Sequence, residues 1–139
     1  MQRLLRGAMV MDGAMGTALY ERGVLYSSCF EELCISRPEL VLSVHESQLR
    51  AGAELLTTNS FGANRFRLRA HGLEERVAQL NRAAVALARQ AGGERSYVAG
   101  SVGPTGLMLN TLPDGQLPLL EAAFREQCEA LLGAGEILL

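Results

Sequence analysis

The chain has 139 residues, enough for one domain or part of one, and its 48% hydrophobic and 20% charged content fits a packed core and excludes disorder. Thirteen basic residues against 15 acidic ones leave a net charge of -2, which gives no reason to expect nucleic acid or an anionic membrane as partner. No apolar run approaches the ~20 residues of a membrane span. Asp12 interrupts the first apolar stretch too early for a signal peptide, and three irregularly spaced cysteines do not read as a disulfide framework. A cytoplasmic location is the expectation.

Taken in chain order, the first strand candidate is Ala8-Met9-Val10-Met11, which runs into Asp12-Gly13-Ala14-Met15-Gly16-Thr17. Ser36-Arg37-Pro38-Glu39 has the spacing of a capping box, with Pro38 tolerated in a first turn whose amides lack helical partners. The helix it opens is expected to reach Ala51 and stop at Gly52. The second strand, Ala53-Glu54-Leu55-Leu56, delivers Thr57-Thr58-Asn59-Ser60-Phe61-Gly62. Arg65, Arg67 and Arg69 follow, expected on a solvated loop or helix end.

Leu73, Val77, Leu80, Ala84 and Leu87 form one helical stripe, which Gly92-Gly93 ends. The third strand, Tyr97-Val98-Ala99, runs into Gly100-Ser101-Val102-Gly103-Pro104-Thr105-Gly106. Leu112-Pro113-Asp114-Gly115 reads as a turn. Leu120, Phe124, Cys128 and Leu131 mark a third helix, and Glu136-Ile137-Leu138-Leu139 a fourth strand at which the chain stops.

Strands alternating with helices imply a parallel sheet with helical crossovers. An open doubly wound sheet and a (β/α)8 barrel both satisfy this pattern. A barrel usually needs ~250 residues, so on that reading the chain holds only part of one. In either architecture the ligand site lies where strands deliver their loops.

Asp12 can take a ligand ammonium or simply start an Asp-Gly turn. Gly13 and Gly16 permit close backbone approach, but their spacing is not that of a dinucleotide fingerprint. Of Thr57, Thr58, Asn59 and Ser60, alternation along a strand turns only about half inward. Phe61 is expected to pack, although it can also wall a pocket. The glycine-rich loop at 100–106 can cradle an anion with its amides, but it lacks the ending of a Walker loop.

Cys29, Cys34 and His45 do not have a strong zinc spacing. Cys128 reads as core, His45 as a packed histidine between Leu42 and Leu49, and His71 as part of a loop before a helix.

The loops in order carry a resemblance. Asp12-Gly13-Ala14-Met15-Gly16-Thr17, Arg37-Pro38-Glu39, the run Ala51 to Phe61, and Val98 to Thr105 together resemble the homocysteine S-methyltransferase family over essentially the whole chain. The resemblance implies a (β/α)8 TIM barrel, of which residues 1–139 are the N-terminal half, about three and a half βα units. It implies methyl transfer to the thiolate of homocysteine, held on zinc, to give methionine. Zinc keeps deprotonated a thiol that is otherwise mostly protonated near neutral pH.

By the same resemblance Asp12 and Gly13 hold the amino-acid part of homocysteine, with Thr58, Asn59 and Ser60 beside them and Gly103 and Pro104 shaping the pocket floor. The family's three zinc-ligand cysteines belong to the second half of the barrel, and its Glu-Thr follows the fourth strand. Neither is present, so no catalytic or metal role falls on Cys29, Cys34 or Cys128. The segment alone is expected to lack zinc, to be inactive, and to dimerise, aggregate or pair with the missing half. A non-catalytic truncated fragment and another α/β enzyme acting on a small anionic substrate are the competing readings. The methyl donor (methylfolate through cobalamin, betaine or S-methylmethionine) is left open, as is a fused reductase or cobalamin module.

Overall fold

A computed structural model describes residues 7–108 and 115–135. The elements are α1 (Met15–Glu21), α2 (Leu33–Ser36), α3 (Pro38–Arg50), β1 (Leu55–Thr57), α4 (Arg65–Arg69), a 3-10 turn (Glu74–Arg76), α5 (Val77–Gly92), β2 (Tyr97–Ala99) and α6 (Leu117–Leu132). The expected fourth strand at 136–139 and most of the turn at 112–115 lie outside the described residues.

β1 and β2 pair in parallel, with Leu55 opposite Tyr97, Leu56 opposite Val98 and Thr57 opposite Ala99. The expected first strand is reduced to a parallel bridge between Met11 and Leu55. Around it, Val10 O accepts from the Glu54 and Leu55 amides at 2.8 and 3.2 Å, and the Asp12 amide donates to Leu55 O at 3.0 Å. The spatial order is therefore the segment at 10–12, then β1, then β2, following the order along the chain. Parallel neighbours linked by helices end their strands on the same side, so Asp12, Thr57 and Ala99 emerge together.

Alternation decides which side each strand residue faces. Leu56 and Val98 are buried, while Leu55, Thr57, Tyr97 and Ala99 are only half-covered. α3 and α5 pack on β1, and α5 also packs on β2 and α6. One hydrophobic cluster joins Leu19, Leu33, Val41, Val44, Ala84 and Leu87, and a second joins Leu68, Val77 and Leu80.

Several local expectations are corrected. Ser36 does not cap α3. It is the last residue of α2, and its hydroxyl bonds back to Glu32, 2.6 Å from Oε2. Arg37 precedes α3 without a side-chain cap bond, and Pro38 sits in the first turn, where its missing N–H costs nothing. Leu73 precedes the 3-10 turn, so the continuous stripe begins only at Val77. On α6 the buried face is Leu120, Ala123, Gln127, Ala130 and Leu131, one residue out of step with the apolar reading in the middle of the helix. Phe124 is exposed and Cys128 only half-buried as a result.

Candidate functional site

At the ends of the strands lies a cavity of about 610 Å3. Its wall includes Asp12, Gly13, Thr57, Thr58, Asn59, Ser60 and Phe61. Thus five of the seven residues expected to meet substrate share one wall. Gly103 and Pro104 stand behind it. The Gly103 amide donates to Phe61 O at 2.9 Å, and a methyl group on Gly103 would run into that carbonyl and the Phe61 ring. The Pro104 carbonyl accepts from Asn64 Nδ2 at 3.4 Å. These two residues support the wall without lining the cavity.

The Asp12 carboxylate is set by its neighbour strand. Oδ2 accepts from the Thr57 amide at 2.8 Å and Oδ1 from the Thr57 hydroxyl at 3.0 Å. Burial pushes the Asp12 carboxyl up from its ordinary value, and the Thr57 bonds pull it part of the way back. Each oxygen accepts one hydrogen bond and keeps acceptor capacity, so the group can take an ammonium. Gly13 is held open by Gln48, whose Oε1 accepts the Gly13 amide at 3.2 Å.

The next loop behaves differently. Ser60 Oγ lies 2.8 Å from Ser101 O, and a carbonyl can only accept, so the Ser60 proton is committed there. Thr58 Oγ1 lies 2.6 Å from Ser60 Oγ and must therefore be the donor of that pair. Thr58 Oγ1 in turn accepts the Ser101 amide at 2.9 Å. Asn59 Nδ2 donates to Phe30 O at 2.7 Å and to Cys34 Sγ at 3.5 Å. All three residues are buried, and these donors are bound to protein. The loop after β2 is stitched in the same way, because the amides of Ser101 and Gly103 have partners within the fold. The anion cradle that residues 100–106 could have formed is not made by those amides.

Behind this loop, the fully buried Gln127 of α6 donates through Nε2 to Ser60 O at 2.7 Å and to Asn81 Oδ1 at 3.3 Å. Asn81 Nδ2 donates to Ala63 O at 2.9 Å. The cavity wall is thus fastened to the outer helices by amide side chains.

Sequence reading did not place Cys29, Glu31, Arg67 or His71 in the wall. Glu31 Oε1 accepts the Gly62 amide at 2.7 Å, and Oε2 accepts the Cys29 S–H at 3.4 Å. Burial, and then the Glu31 charge, push the Cys29 thiol up to about 11. Burial pushes Cys34 up to about 12. Phe61, expected to pack, is 57% exposed at the wall. His45 is fully buried as expected, but neither ring nitrogen has a partner, and burial lowers it to about 4.

The sequence that builds these parallel strands and polar strand-end loops matches the family model for homocysteine S-methyltransferase over residues 9–139. The chain belongs to that family.

Among solved structures it is similar to the metallated homocysteine methyltransferase MmuM from Escherichia coli. The two share 32% identity at a TM-score of 0.79, over 96% of this chain and 53% of that one. It is also similar to methionine synthase from Mycobacterium leprae, with 31% identity over 97% of this chain and 12% of that protein. Methionine synthase from Mycobacterium tuberculosis gives 31% identity over 95% and 12%. The chain spans about half the length of the solved relative and a much smaller share of the synthases.

A metal of the kind present in the MmuM crystal does not fit the residues described here. Among them no three His, Cys, Asp or Glu side chains gather in a way that could hold an ion. The cavity's own thiol, Cys29, is shifted away from the thiolate form that a zinc ligand requires. Nor is any described helix long and apolar enough to cross a membrane.

Proposed function

We propose that residues 1–139 form the N-terminal half of a (β/α)8 homocysteine S-methyltransferase barrel and supply the amino-acid side of its homocysteine pocket. The observation that carries this reading is the convergence of Asp12, Gly13 and the Thr58–Ser60 loop, from two neighbouring strand ends, on one cavity. Asp12 takes the substrate ammonium. Gly13 leaves room for the substrate's Cα end, and Thr58, Asn59 and Ser60 hold the wall in place. Gly103 and Pro104 act one step removed, by fixing Phe61 and Asn64.

The full reaction, methyl transfer to the homocysteine sulfur giving methionine, needs groups beyond these residues. Zinc belongs to the family's chemistry, and its ligands are assigned outside this segment. The chain alone is therefore expected to purify without stoichiometric zinc and to form no methionine. Metal analysis and a methionine assay check this, and either a one-to-one zinc content or turnover would overturn it. Three free thiols support a reducing, cytoplasmic setting. Exposed Val10, Met11, Met108 and Phe61 support pairing with the other half of a barrel or with another copy.

The binding reading is tested by calorimetry with L-homocysteine, comparing the native chain with Asp12→Ala. We expect the variant to lose about tenfold or more in affinity, the scale of a charge-assisted contact. Equal affinity in the two proteins would remove Asp12 from the site.

A further inference from the structure

Homocysteine carries a carboxylate as well as an ammonium, and Asp12 serves only the ammonium. The methyl donors considered above also include carboxylate-bearing molecules. One wall residue has the chemistry to meet such a group.

Arg65 and Arg67 lie two apart on α4, so they leave the helix about 200° apart. Arg65 is used for structure: its guanidinium pairs with Glu75 at 2.8 Å and Glu126 at 2.9 Å. Arg67 lines the cavity instead. Its side chain makes no ion pair or hydrogen bond with any described residue.

Its backbone is nevertheless fixed. The Arg67 amide donates to Asn64 Oδ1 at 3.1 Å, and Asn64 is fully buried and tied to the Pro104 carbonyl. The stem is guided as well, since a Cβ built on Gly106 would come 3.6 Å from Arg67 Cδ. Neither carboxylate in the wall is bonded to Arg67: Asp12 accepts from Thr57, and Glu31 from Gly62 and Cys29. A guanidinium that is held at its base and unpaired at its tip suits bidentate recognition of a carboxylate.

We propose that Arg67 is the carboxylate-binding residue of this cavity, taking the carboxylate of homocysteine or that of the methyl donor. Both sources rest on the methyltransferase reading above, and only the first on homocysteine binding by this segment.

The test is calorimetry on the native chain, Arg67→Gln and Arg67→Lys, with Arg69→Gln as an exposed control outside the wall. Four probes are titrated: L-homocysteine, 3-aminopropanethiol (the same molecule without its carboxylate), glycine betaine and 5-methyltetrahydrofolate. If Arg67 holds the homocysteine carboxylate, Arg67→Gln loses at least tenfold for L-homocysteine and less than twofold for 3-aminopropanethiol. Arg67→Lys then recovers only part of the loss. If it holds the donor's carboxylate, the loss appears with betaine or methyltetrahydrofolate while homocysteine binding is kept.

Native affinity of Arg67→Gln for all three carboxylate probes would overturn the proposal, with the homocysteine reading intact if the native chain binds homocysteine. Donor binding that depends on Arg67, without homocysteine binding, would sink the homocysteine reading alone. No binding of any carboxylate probe by the native chain would sink both. Arg67 is exposed, and circular dichroism shows whether each variant keeps the native fold.

Discussion

Two sets of polar residues share the cavity wall and differ in what they have left to offer. The loop Thr58–Asn59–Ser60 is rich in hydrogen-bonding groups, and its hydroxyl and amide donors are bound to Ser60 itself, Ser101, Phe30 and Cys34. Asp12 and Arg67 are single charged residues with capacity remaining. The first gives the pocket its shape, and the second is the one proposed to give it affinity. Polarity near a strand end is thus a poor guide to ligand contact until the internal partners are counted.

The largest effect expected from this distinction belongs to a polar group with neither kind of partner. Buried His45 is lowered from 6.5 to about 4, so the unfolded chain binds its proton more readily than the folded one. Its contribution is fully present above about pH 6.5 and is lost as pH falls toward 4. The loss amounts to about 3 kcal/mol. Urea unfolding between pH 7 and 4 measures it, and His45→Leu should flatten that part of the profile. An unchanged slope in the variant would assign the acid sensitivity elsewhere.

Thr58→Val comes next. It keeps the shape but leaves the Ser101 amide without its acceptor and Ser60 Oγ without its donor. A stability loss of about 2 kcal/mol is expected, with homocysteine affinity of the folded protein changed less than threefold. A large affinity loss at unchanged stability would reverse the division of labour between the two sets.

Asp12→Asn should show the opposite pattern at the smallest cost to the fold. The raised carboxyl means that stability falls as pH rises from about 3.8 through the folded-state value. The amide removes that penalty, while only its oxygen can accept from Thr57. We expect the two effects to leave stability within about 1 kcal/mol of the native chain, as thermal melts at pH 7 can check. Affinity for homocysteine should still fall.

The architecture was legible where periodicity and punctuation agree. Tyr97–Ala99 is the strand expected, and the helix opening at Pro38 ends at Arg50, one residue short of Ala51. Gly52, with φ +104, then takes a backbone conformation that other residues resist. Short α1, α2 and α4 went unread because each is too brief for a stripe to repeat.

The misplaced face of α6 has a chemical cause. A search for apolar residues selects Phe124 and Cys128, whereas the side chain turned inward is Gln127, buried because it bonds Ser60 and Asn81. Within the site, Asp-Gly at a strand end left a plain turn equally open, and it was the family resemblance that singled out Asp12 and Gly13, which both line the cavity. Glu31 and Arg67 were not legible, because their place in the wall depends on tertiary packing. The Pro-Glu spacing after Ser36 misled in the same way, since Glu32 one turn earlier claims the hydroxyl.

The Gln127 link also limits how the molecule can be taken apart. α6 reads as an outer helix, exchangeable for another of equal length and polarity. Its glutamine reaches through the second layer to a carbonyl of the pocket wall, so a replacement helix lacking an amide at that position would strip a support from Ser60. The pocket and its outer helix are one unit for grafting, and a transplanted strand-end loop needs that glutamine to travel with it.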